Sequence, residues 1–165
     1  MAFQGPEGPG VVALPAQPGR GGTSHTPEGV GYYLDQATRA RSVGARSAAA
    51  AMYRAALEQV LFDQGYRVRM LGNKIAELER DRKEGRGPGW VRHIDPGVLS
   101  LLKRIGDGAV HPGEGDVAGQ QALDEDLLRV AEDLLGGLLE EVYETPARQA
   151  EAQRRLSAAA EQLGG

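Results

Sequence analysis

The sequence predicts an all-α protein: a bundle of five or six helices preceded by a disordered tail rich in glycine and proline. Aromatic residues make up only 5% of the chain, and alanine and leucine supply most of its apolar side chains, which favours helices over sheets. Apolar residues also recur at helical spacing along most of the chain after the tail. At 165 residues the chain is long enough for one hydrophobic core.

The tail is assigned to residues 1–29 and the bundle to residues 30–165. The tail reads FQGPEGPG, LPAQPGRGG and TPEG, in which glycine and proline disfavour regular structure. Few apolar groups are present there to offset the entropy of ordering. The assignment leaves His25 without neighbours and predicts that it is inert.

Three helices are predicted in the first half of the bundle. A short one covers residues 32–43, and a clearer one runs from Ala45 to about Gln64. Gly65 is the expected C-cap of the second helix. A third helix is expected to begin near Val68, and its apolar stripe consists of Leu71, Ile75 and Leu78.

A fourth helix is predicted to start where Asp95 offers an N-cap and Pro96 occupies the first helical position. It should fray or end near His111, because Pro112 disfavours the α conformation in the residue before it. The loop before this helix is the glycine-rich segment 85–89.

The fifth helix, over residues 127–142, carries the longest apolar stripe and is expected to be the main wall of the core. Gly136 and Gly137 inside it suggest close approach by a neighbouring helix, although weak helix propensity is the simpler explanation. Thr145 and Pro146 repeat the cap-then-proline signal and should open a last helix reaching about Leu163.

Composition excludes several classes of function. No cysteine occurs, so disulfides and thiolate chemistry are absent, and the sequence indicates neither a cofactor nor a metal site. The net charge of −4 argues against a broadly basic surface for nucleic acids, although Arg39, Arg41 and Arg46 form a local cluster. Neither a signal peptide nor an apolar segment of membrane-spanning length is found, which predicts a cytoplasmic protein with no membrane contact.

The one site-like pattern is Arg104 followed seven residues later by His111. On a helix, two residues seven apart lie on the same face, roughly 10 Å from each other along the axis. Such a pair suits metal-free cleavage of RNA, because a neutral imidazole can accept the 2′-hydroxyl proton while a guanidinium stabilises charge on phosphate oxygens. Asp107, between the two, could orient either group. The alternative is a helix end at which Arg104 is solvated and His111 caps the last turn. His93 is interpreted as a core or capping residue.

Three segments together resemble the family catalogued as domain of unknown function 4145. They read YRAALE at residues 53–58, LGNKI at residues 71–75 and IGDGAVHP at residues 105–112. That family is placed in the HEPN superfamily of helical bundles, whose members commonly carry Arg, four to six intervening residues and His.

The resemblance implies a HEPN-like homodimer that brings two Arg and His sets into one cleft and cleaves RNA without a metal. It also implies an association with defence or restriction proteins. Many HEPN domains serve only as binding or dimerisation modules, so the resemblance leaves both functions open. Asp107 stands where the family usually has asparagine, and its carboxylate could repel phosphate or pair with Arg104.

Arg54 and Glu58 are the other candidate site residues. They are four residues apart on the second helix, and as an exposed ion pair they would be worth about 0.3–0.5 kcal/mol. The resemblance implies instead that they line the cleft. Two functions therefore remain: a metal-independent endoribonuclease of toxin or defence type, and a non-catalytic dimerisation or interaction module.

Overall fold

A computed structural model describes residues 22–110 and 123–163 of the chain. All the regular elements in these two ranges are helical, which confirms the all-α prediction. In chain order they are α1 (Glu28–Ser42), α2 (Arg46–Asp63), α3 (Leu71–Lys83), a 3₁₀ turn (Gly89–Arg92), α4 (Pro96–Val110), α5 (Glu125–Leu139), a π-helical turn (Glu140–Glu144) and α6 (Thr145–Leu163). The helices predicted from periodicity are therefore present.

Helix α2 is the centre of the bundle, and it packs against α1, α3, α4 and α5. The expectation that the fifth helix forms the main wall of the core is therefore wrong, because α5 covers only one side of α2. Small side chains on α2 allow this close packing on several sides. Its buried residues are Ala49, Ala50, Tyr53, Ala56, Leu57, Val60 and Leu61.

The ends of α2 and α4 follow the local signals in the sequence. Gly65 has φ +99°, a conformation that favours glycine, and its N–H donates to the carbonyl of Phe62 at 3.0 Å, so it terminates α2 as predicted. Before α4, the carboxylate of Asp95 accepts a hydrogen bond of 2.7 Å from the backbone N–H of Gly97. This is the predicted capping role of Asp95.

Helix α5 continues into α6 without a break. Thr145 has helical dihedral angles, so it does not act as the predicted N-cap of a separate helix. The π-helical turn joins the two helices. It accommodates Pro146, which follows it and has no N–H group to donate a backbone hydrogen bond in the helix interior. The predicted helix over 145–163 is correct in extent, and the predicted cap is wrong.

The glycine pair in α5 does not mark a close helix contact. A methyl group at Gly136 or at Gly137 would meet no atom of the described residues within 4 Å. The expectation of close backbone approach there is therefore wrong. The close approach occurs instead at Gly106 in α4, where a methyl group would lie 2.3 Å from Cβ of Arg54 on α2.

Residues 22–29, which the sequence analysis placed in the tail, lie against the bundle, and Glu28 and Gly29 form the first turn of α1. The backbone N–H of His25 donates to Glu144 at 2.7 Å, and its Nδ1 lies 3.0 Å from the second carboxylate oxygen. These bonds, with one from Thr23, lower the pKa of Glu144 to about 2 against the effect of burial. The expectation that His25 has no neighbours is wrong. Residues 1–21 lie outside the described residues, so the disordered tail stays a prediction for them.

The helix crossing at Gly106 gives the first testable prediction. Gly106→Ala should destabilise the protein by about 1–3 kcal/mol, because the new methyl group meets a Cβ atom rather than the end of a flexible side chain. Gly108→Ala is the matched control on the same helix, since a methyl group there meets no atom of residues 22–110 and 123–163 within 4 Å. Its higher helix propensity should leave stability unchanged or raise it by up to about 1 kcal/mol. Urea denaturation measures both, and equal stability of the two variants would contradict the packing.

Candidate functional site

Helix α4 contains Arg104, the first residue of the candidate motif, and has one buried face and one exposed face. Leu99, Leu102 and Ile105 are buried against the bundle, whereas Arg104 is exposed. The helix ends at Val110, the residue immediately before His111. His111 lies outside the described residues, so the pairing of Arg104 with His111 stays a prediction.

Asp107 is held by two cations, neither of which is Arg104. Nε of Arg54 donates to Oδ1 of Asp107 at 2.9 Å, so this contact joins α2 to α4 across 53 residues of sequence. Nζ of Lys103, one turn earlier on α4, binds the other carboxylate oxygen. The alternative in which Asp107 pairs with Arg104 does not occur. Both carboxylate oxygens therefore have charged donors.

The electrostatic effect on Asp107 follows from these partners. Burial raises the pKa of its carboxyl group, but the hydrogen bonds from Lys103 and Arg54 outweigh burial and bring the pKa below its usual value. Asp107 is therefore ionised near neutral pH. Its negative charge is balanced within the contact rather than left facing solvent.

Two further residues extend this contact along α2 and α3. Nη1 of Arg54 lies 3.7 Å from Glu58, and Nζ of Lys74 lies 3.5 Å from the other oxygen of Glu58. Lys74 is only 5% exposed and also donates to the carbonyl of Val68 at 2.8 Å. A buried lysine needs such partners, because an unpaired charge in the interior is costly. The side chains of Lys103, Asp107, Arg54, Glu58 and Lys74 are called the ion-pair chain below.

A cleft of about 310 Å³ lies between α3 and α4 beside the ion-pair chain. It forms where Gly72 lets the start of α3 approach α4, since a methyl group at Gly72 would lie 3.3 Å from Cε of Lys103. Arg104 is exposed on its wall and Glu79 is its acidic member. The lining residues are Gly72, Ile75, Ala76, Glu79, Ser100, Lys103 and Arg104.

Residues 35–157 match the family described as "Domain of unknown function (DUF4145)". This is well over half of the 165-residue chain. The chain belongs to this family. The match to DUF4145 extends from α1 to α6 and contains Arg104 and all five residues of the ion-pair chain. No curated protein and no solved structure matches the chain, so the family assignment brings no known activity with it.

The DUF4145 fold brings together three of the residues singled out from sequence. Arg54, Glu58 and Asp107 meet in the ion-pair chain, whereas Arg104 stands beside it in the cleft. Arg54 and Glu58 are thus not an isolated surface pair, and they do not line the cleft between α3 and α4. Their place in the cleft of a homodimer stays a prediction.

Lys103 and Lys74 were missed in the sequence analysis. Lys103 and Asp107 are four residues apart on one helix, a spacing that could have shown their pairing. Lys74 lies in the LGNKI segment that carries part of the family resemblance. Nothing local in the sequence indicates that it is buried or that it contacts Glu58.

The other histidines have acidic neighbours outside this site. His93 is exposed rather than in the core, and its Nδ1 lies 3.2 Å from Glu141 on the π-helical turn. In residues 22–110 and 123–163, no three histidine, aspartate or glutamate side chains form a group that could hold a metal ion. Among the same residues, no helix has both the length and the apolar character needed to cross a membrane.

Proposed function

We propose that this DUF4145 domain is a HEPN-like, metal-independent endoribonuclease of toxin or defence type, in which Arg104 and His111 act on RNA. The observation that carries the proposal is that both oxygens of the Asp107 carboxylate are paired, one with Arg54 and the other with Lys103. That pairing leaves the exposed guanidinium of Arg104 without an acidic partner among the described residues. It also removes the main objection to the motif, which is that a carboxylate inside it would repel phosphate.

The proposed chemistry divides between the two motif residues. The imidazole of His111 takes the proton of the 2′-hydroxyl group as general base, so that the oxygen attacks the adjacent phosphorus. The bond from phosphorus to the 5′-oxygen of the next nucleotide breaks, and that oxygen leaves with a proton from the imidazolium or from water. The products are a 2′,3′-cyclic phosphate and a 5′-hydroxyl end. The guanidinium of Arg104 donates two parallel hydrogen bonds to phosphate oxygens and stabilises their developing charge. Arg54 and Lys103 act as positioning residues, because they fix Asp107 and with it the last turns of α4.

The local charge favours this substrate although the whole chain is acidic. Arg104 and the ion-pair chain contribute four cationic side chains, from Arg54, Lys74, Lys103 and Arg104. Three carboxylates oppose them: those of Glu58 and Asp107 in the ion-pair chain and that of Glu79 in the cleft. An excess of positive charge around one helix supports binding of a phosphodiester there. The proposal includes a cytoplasmic location, a homodimer with both motifs in one cleft, and a defence or restriction protein as partner, as the resemblance implies.

Cleavage of RNA in EDTA tests this proposal. The purified protein should cut a single-stranded RNA in EDTA, and Arg104→Ala or His111→Ala should each slow cutting at least about 100-fold, because each removes a group that acts in the transition state. Arg129→Ala is the matched control, since Arg129 is an exposed arginine on α5. Equal cutting by all the proteins would reveal a contaminating nuclease, and no cutting by the wild type would overturn the proposal.

A second candidate function, a non-catalytic dimerisation module, is favoured by α6. None of the 19 residues of this helix is buried, and Leu156 and Leu163 are 65% and 90% exposed. Ala152, Leu156, Ala159 and Leu163 follow one another at spacings of four, three and four residues. That spacing forms the apolar seam of a two-helix contact. In this candidate function, α6 of one chain packs on α6 of a second copy.

Sedimentation velocity tests the module, and the RNA cleavage assay separates it from the nuclease, because both proposals include a homodimer. For the module, the wild type should sediment as a dimer and Leu156→Lys as a monomer, because the substitution places a charge in the seam. Ala158→Lys adds the same charge on the opposite face of α6 and should leave the dimer intact. A dimer that cleaves no RNA would establish the module alone. A wild type that is monomeric at every concentration tested would contradict it.

A further inference from the structure

We propose that a second surface, next to Arg104, binds an unpaired base and the adjoining phosphates of single-stranded RNA. The surface consists of Phe62 at the end of α2 and Arg67, Val68, Arg69 and Met70 before α3, and it is called the Phe62–Met70 platform. The inference deepens the proposed nuclease function, on which it rests for the identity of the ligand. It adds a substrate subsite to that function.

The platform concentrates exposed apolar side chains within nine residues of sequence. Phe62, Val68 and Met70 are 39%, 39% and 60% exposed. Single exposed apolar residues are common on soluble proteins, but a cluster of them marks an interaction surface. Arg67 and Arg69 are exposed between them, so cations alternate with apolar groups.

The aromatic ring of Phe62 already contacts two cations. The guanidinium carbon of Arg67 lies 4.8 Å from the ring centroid, and Nζ of Lys74 lies 5.8 Å from it. Proteins that bind unpaired nucleotides stack the bases on aromatic rings and on arginine planes. The platform contains one of each, with the guanidinium of Arg67 lying over the ring, so a base can stack on the outer face of the guanidinium or on the ring once Arg67 moves to a phosphate.

The backbone of the platform is strained at Met70. Its φ of +77° lies in the left-handed region, and it is the one non-glycine residue with positive φ among the described residues. Backbone strain of this kind is concentrated at functional sites. The strain is held by the start of α3, where the backbone N–H groups of Asn73 and Lys74 donate to the carbonyl of Met70 at 3.0 and 3.1 Å.

The platform is physically joined to the motif helix. Lys74 binds the carbonyl of Val68 and contacts Glu58, so the platform is anchored to one end of the ion-pair chain, whose other end is Lys103. Gly72, two residues after Met70, lies beside Lys103, since a methyl group at Gly72 would be 3.3 Å from Cε of that lysine, the residue before Arg104. The cleft between α3 and α4 therefore begins where the platform ends. An RNA strand with one phosphate at Arg104 would place a neighbouring nucleotide on the platform.

The charge of this surface favours RNA over a protein partner. Arg67, Arg69 and Arg104 are exposed cations without an acidic partner among residues 22–110 and 123–163. Of the acidic groups nearby, Glu58 and Asp107 are paired in the ion-pair chain, Asp63 accepts a hydrogen bond from Gln59, and Glu79 lies in the cleft. Positive charge interleaved with an aromatic ring is the composition of surfaces that bind single strands.

The test measures binding of the full chain to a fluorescent 2′-O-methyl oligouridine in EDTA, since this probe lacks the nucleophile needed for cleavage. Phe62→Ala should weaken binding about tenfold through the loss of one stacked base. The double variant Arg67→Gln, Arg69→Gln should lower the slope of log affinity against log salt by about 1.4, at about 0.7 for each phosphate contact to a single strand.

Matched controls come from elsewhere on the surface. Tyr32→Ala removes an aromatic ring from α1 that is more exposed than Phe62, 59% against 39%, and Arg154→Gln, Arg155→Gln removes an exposed arginine pair from α6. Both controls should bind the probe as the wild type does. If Phe62→Ala loses its helical circular dichroism, the arginine variant carries the test, because both of its side chains are exposed.

The outcomes distinguish the platform from the nuclease. No binding by the wild type, or wild-type binding by both platform variants, overturns the inference, and the second result would also be expected if the platform binds a protein. Tight binding at the platform without cleavage of ordinary RNA keeps the inference and overturns the nuclease. If the wild type cleaves RNA and the platform variants bind the probe as the wild type does, the nuclease proposal is kept and the platform is overturned.

Discussion

The structure depends on the contact at which α4 crosses α2. Because Gly106 has no side chain, Cβ of Arg54 can occupy space that a methyl group at position 106 would fill, and Arg54 then reaches Asp107 one residue further along. The steric contact and the ion pair require the same helix separation, so neither can change alone. This crossing fixes which face of α4 is buried and leaves Arg104 on the other. The electrostatics of the candidate site thus follow from a packing constraint between two helices.

The sequence predicts the helices well because their signals are local. The apolar spacing of α2 and α4, the C-cap at Gly65 and the N-cap at Asp95 each depend on a few neighbouring residues. The sequence was less informative about features that depend on tertiary contacts, such as where helices cross and where one helix continues into the next. Gly106 rather than the Gly136–Gly137 pair marks the close helix approach, and the continuous helix through Thr145 depends on a π-helical turn that no composition signal predicts.

The same distinction applies to the candidate site. Arg104, Asp107, Arg54 and Glu58 could be named from motif and resemblance, and the pairing of Lys103 with Asp107 follows from helical spacing. The bond between Arg54 and Asp107 spans 53 residues, and the burial of Lys74 depends on the loop before α3. Neither can be read from local sequence. The Phe62–Met70 platform was missed for a related reason, since it combines the end of one helix with the strained entry to the next.

The central claim is that Lys103 and Arg54 neutralise Asp107 and leave Arg104 free for phosphate. The most direct measurement is a carbon-13 NMR titration of the Asp107 carboxyl group in the wild type, Lys103→Met and Arg104→Met. The account predicts a wild-type pKa below the usual 3.8, a clear rise in Lys103→Met and no change in Arg104→Met. A wild-type pKa at or above 3.8, or an equal rise in both variants, would contradict it.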